Sequence, residues 1–71
     1  MDRQTLLDQL ASAERHVSDA EIHIARQREL VAKMERDGHE TGLARSLLLK
    51  FEELLAIHMA DRERLRGELQ K

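Results

Sequence analysis

The chain contains no cysteine, proline, tryptophan or tyrosine, and Phe51 is its only aromatic residue. Without cysteine there are no disulfides and no thiolate metal sites, and nothing points to an oxidising compartment. Without proline nothing interrupts a helix from within. No apolar run approaches the roughly 20 residues that a membrane span needs. Met1–Asp2–Arg3 leads into no signal-peptide core, so a cytoplasmic location is the default expectation. A strong charge of one sign is also missing. The formal net charge of −2 argues against a general nucleic-acid binder, which usually carries a basic excess.

What is present is leucine, alanine, glutamate and arginine, with 37% of residues charged, the composition of long helices. At 71 residues, 1–71 reads as a single helical-hairpin domain. So short a chain seldom buries enough surface alone, and idealised packing, a metal or oligomerisation is expected to help. Gly38 and Gly42 bracket "RDGHETG", the strongest break in the sequence. Gly38 suits the left-handed position after a helix, with Lys33 and Arg36 near the last carbonyls. Thr41 is the expected N-cap of the next helix, and Glu40 favours its positive end. The expected fold is therefore all-α, with helices at about 3–37 and 41–69 joined as antiparallel neighbours and fraying at Gly67.

Leu6, Leu10, Ala13, Val17, Ala20, Ile24, Val31 and Met34 recur in steps of four and three, skipping Gln27. That rhythm marks a coiled-coil seam. Ala44, Leu48, Phe51, Leu55, His58, Arg62, Leu65 and Leu69 answer it in the second helix. With the turn near His39–Glu40, facing residues have numbers summing to about 79. Ile24 then meets Leu55, Val31 meets Leu48, Leu10 meets Leu69, and Ala13 and Ala20 face the larger Leu65 and His58.

Leu43, Leu47, Leu54 and Ile57 form a second row beside that seam, and one partner helix cannot cover both. A second hairpin could. The row is the expected dimer interface of a homodimeric four-helix bundle, although another helical protein could also occupy it.

The runs "ERHVSDAEIHIARQRELV", "DGHETGLA" and "LLLKFEELLAIHMADRERL" resemble those of short uncharacterised helical-hairpin proteins of rhizobia and related alphaproteobacteria, over roughly residues 14–65. The resemblance implies a helical hairpin and no mechanism. In architecture the chain is also similar to Rop-type RNA-binding hairpin dimers, a likeness that carries little about function.

No catalytic constellation emerges. There is no HExxH and no glycine-rich phosphate loop, and the adjacent Glu52 and Glu53 point in different directions on a helix. No enzyme and no cofactor are expected. Di-iron bundles need Glu-x-x-His, whereas Glu21 precedes His23 by two positions. The arginines Arg62, Arg64 and Arg66 are interleaved with acids, so a mixed-charge solvated face is favoured over nucleic-acid binding, with Glu29–Lys33 and Arg64–Glu68 as helical pairs. Gln27 at a seam position is either a tolerated defect or a device that fixes register, with Glu52 as its expected acceptor.

Histidine remains. His16 and His23 sit one heptad apart, about 10 Å along the axis, too far to share one ion. His23 with His58 is the weak candidate for a metal or pH-sensing site, weighed against a structural His58 bonded to a neighbouring carboxylate such as Asp19, Glu21 or Asp61. The expectation is a metal-free, non-catalytic interaction or regulatory module.

Overall fold

A computed structural model describes residues 2–71. It consists of α1 (Arg3–Arg36) and α2 (Gly42–Leu69), packed side by side as an all-α antiparallel hairpin. No helix among the described residues is long and apolar enough to cross a membrane.

Each helix end has a local cause. The Asp2 carboxylate accepts from the Thr5 N–H at 2.7 Å and caps α1, a role the sequence pattern did not single out. That backbone hydrogen bond holds the Asp2 carboxyl below its ordinary value of 3.8. A depressed carboxylate stabilises the fold above its unfolded pKa and loses that contribution as pH falls through its folded value. Acidification below about pH 4 should therefore fray the first turn while the seam holds. Amide exchange at Thr5 against pH checks this, and Asp2→Asn should remove the pH dependence while keeping a cap.

At the other end Gly38 takes a positive φ of 77°, a conformation that costs an L-residue energy and glycine little. The His39 N–H reaches the Met34 carbonyl at 2.8 Å and the Gly38 N–H reaches that of Glu35 at 3.2 Å. This is the six-to-one and five-to-two closure of a Schellman turn.

The start of α2 differs from the expectation. Thr41 occupies the N-cap position but makes no capping bond, because its hydroxyl accepts from Arg45 Nε at 3.0 Å. Glu40 supplies the acceptor for the Gly42 N–H at 3.1 Å. Arg45 also pairs with Glu35 across the turn, which ties the two helix ends together. Gly67 does not fray the helix, which continues to Leu69.

The seam follows the heptads. Leu6, Ala13, Val17, Ile24, Gln27 and Val31 are the buried residues of α1. From α2 only Leu65 is buried, at 1% exposure, against Leu6 and Ala13 with Leu10 and Leu69 alongside. The other seam residues of α2, Leu48, Phe51 and Leu55 among them, are half-buried. The reason lies in the width of its apolar arc: a single partner helix covers the seam and leaves the adjoining row in solvent.

Gln27 is satisfied, but not by Glu52. Its Nε2 donates to the Ala44 carbonyl at 2.9 Å, while Glu52 sits 3.7 Å from Arg28. Ala44 lies inside α2, so its carbonyl also has the Leu48 N–H as its helical partner. Removing the amide strands no acceptor. Gln27→Leu should raise stability by roughly 0.5–1 kcal/mol, since apolar burial replaces a bond of modest net value. A denaturant midpoint that falls would show that the amide contributes more than a leucine in its place.

Candidate functional site

The two flanks of the seam differ in chemistry. On one, Arg28 faces Glu52 and Arg45 meets Glu35, all positions directly after a seam residue in the heptad. Exposed pairs of this kind add at most about 1 kcal/mol each, and Leu7, Leu49 and Met59 are exposed on the same flank.

The opposite flank holds the positions just before or beside the seam: His16, His23 and Leu30 from α1, with Leu47 and Leu54 from α2. Level pairing sets Leu30 beside Leu47 and His23 beside Leu54. Leu30 is 46% exposed, Leu47 42% and Leu54 47%, while Ile57 and Leu43 reach 62% and 89%. The anticipated row on α2 is therefore uncovered by its own chain, and α1 adds Leu30 and two histidines to it. Heptad letters assigned to α1 as well as α2 reveal this wider patch, which a reading of the α2 row alone leaves out.

Between the helices on this flank runs an open groove of about 300 Å³, lined by Phe51, Leu54, Ala20, Asp19 and three histidines. Two ring contacts border the groove. His58 lies against His16, with ring centroids 5.0 Å apart and planes tilted by 44°. His23 stacks on Phe51, at 5.7 Å and 30°. His23 and His58 both border this groove. No carboxylate holds His58: Asp61 is taken by Arg64 at 2.7 Å, and no side-chain hydrogen bond among the described residues involves either His16 or His58.

The arginine-rich end of α2 is paired within itself. Arg66 bonds Glu63 at 2.8 Å, Arg62 lies 3.3 Å from the same carboxylate, and Lys71 lies 3.4 Å from Glu68. Arg64 takes Asp61 rather than Glu68, three positions away instead of four. Comparison with protein-family models, with curated proteins and with solved structures finds no match, and the flank geometry alone carries the functional reading.

Proposed function

We propose that this chain is a non-catalytic interaction module whose apolar flank receives a second copy of itself, giving an antiparallel four-helix bundle. The observation that carries the reading is the exposed aliphatic row beside the seam. One flank carries two ion pairs along with exposed Leu7, Leu49 and Met59; the other presents Leu30, Leu43, Leu47, Leu54 and Ile57 to solvent along both helices. Clustered aliphatic side chains in water mark an interaction surface, here with exposed Lys50 set among them.

A second copy fits the dimensions. A side of 53 by 14 Å offers roughly 700 Å², close to the ~800 Å² that each partner contributes to a standard stable interface. A copy related by a two-fold axis presents the same row to its mate, so the patch is self-complementary in kind. Light scattering at micromolar concentration should report twice the 8.2 kDa chain mass. A single-chain mass persisting at several hundred micromolar would refute self-association and favour a different helical protein as occupant.

A further inference from the structure

The sequence suggests a histidine site only through His23 and His58, and the structure also brings His58 against His16. The separation of that pair is informative. A tetrahedral ion with Zn–N bonds of about 2.0–2.1 Å holds two imidazole centroids about 5 Å apart. The observed value is 5.0 Å, with the planes tilted at 44° rather than stacked flat. Both rings border the same open groove, so an ion has a path to them. Their nitrogens are not committed to any side chain among the described residues, and Asp61, the carboxylate nearest His58 in sequence, is held by Arg64.

We propose that His16 and His58 together chelate one borderline transition-metal ion, with Zn²⁺ as the reference case. No set of three histidines or carboxylates among the described residues is placed to hold an ion, so water fills the remaining positions. Imidazole ligands favour Zn²⁺, Ni²⁺ and Cu²⁺ over Mg²⁺ and Ca²⁺, which take oxygen donors. One ligand comes from each helix, so the bound ion bridges α1 and α2 across the seam. The two histidines are far apart in sequence and adjacent only when the hairpin is formed, so binding favours the folded chain by mass action. Both ligands come from one chain, and the groove they border opens on the flank proposed to receive a second copy, so zinc binding and self-association are measured together across protein concentration.

The test is a titration of the metal-free full chain with zinc, followed by calorimetry and by thermal melting at several protein concentrations. One ion per chain is expected, with a rise in melting temperature of roughly 5–10 °C at saturation. Calcium should give no rise. His16→Ala and His58→Ala should each weaken zinc binding on the order of 100-fold, because a single ligand loses the effective concentration of the second. His23→Ala should keep wild-type affinity. His16 is exposed, so its truncation leaves the helical spectrum intact and isolates ligation from folding. The proposal is overturned by a melting curve that zinc leaves unchanged, by a zinc response that survives His16→Ala, or by one that His23→Ala abolishes.

Discussion

Truncating Leu65 to alanine is expected to lower the melting temperature by roughly 10–25 °C, more than any other single change in the hairpin. Among the described residues Leu65 is the one large side chain that is fully buried, and it is the only buried contribution of α2. Its neighbours Leu6, Leu10, Ala13 and Leu69 close the open end of the hairpin, where no turn holds the helices together. Loss of a buried leucine costs about 2–5 kcal/mol, and a domain of this length has only a few kcal/mol in total. Ala13 opposite offers no flexible side chain to refill the space. Leu65→Met, which conserves volume, should cost under about 1.5 kcal/mol. Chemical denaturation monitored by circular dichroism checks both, and an alanine variant as stable as wild type would mean that the open end contributes nothing.

The second large effect is expected from Leu54→Glu combined with Ile57→Glu. Within one chain these side chains are already 47% and 62% exposed, so an isolated hairpin loses little by the change. On the proposed interface each buried aliphatic contributes on the order of 1.5–3 kcal/mol, and every glutamate is repeated by symmetry. The double variant should therefore scatter as a single chain, melt well below wild type, and lose the concentration dependence of its melting temperature. Leu49→Glu is the control. Leu49 is also exposed, at 60%, but lies on the far side of α2, so its replacement should leave the mass unchanged. A double variant that keeps the wild-type mass would move the interface elsewhere.

The seam was readable because its signal is periodic and redundant. The steps of four and three through Leu6, Ala13, Val17, Ile24 and Val31 pick out the buried residues of α1, and the skipped Gln27 is buried with them. Pairing by level also brings Ala13 to Leu65. The turn was readable because Gly38 satisfies a backbone requirement that few other residues meet. Thr41 and Glu52 were not readable in the same way. Capping and amide partners are chosen among several polar groups within reach, and Arg45 and Arg28 compete for them. The His16–His58 contact was not readable for a related reason. Heptad position fixes the level of a residue to within a turn, whereas the direction in which a ring leans depends on its local neighbours. Phe51 takes the face of His23, and small Ala20 leaves the groove open for His58 to lean on His16.

The outline of the hairpin, 53 Å long and 14 by 13 Å across, has a consequence for how it moves through water. Its radius of gyration is 16.2 Å, against about 11 Å for a round domain of this length. A rod drags more solvent than a sphere of equal mass, so a lone hairpin leaves a sizing column early, as a heavier round protein would. A second copy laid alongside adds width and almost no length. Diffusion then slows by less than the doubled mass suggests, and the assembly becomes rounder as it grows. In sedimentation, association of this chain should appear as a frictional ratio that falls while the mass rises.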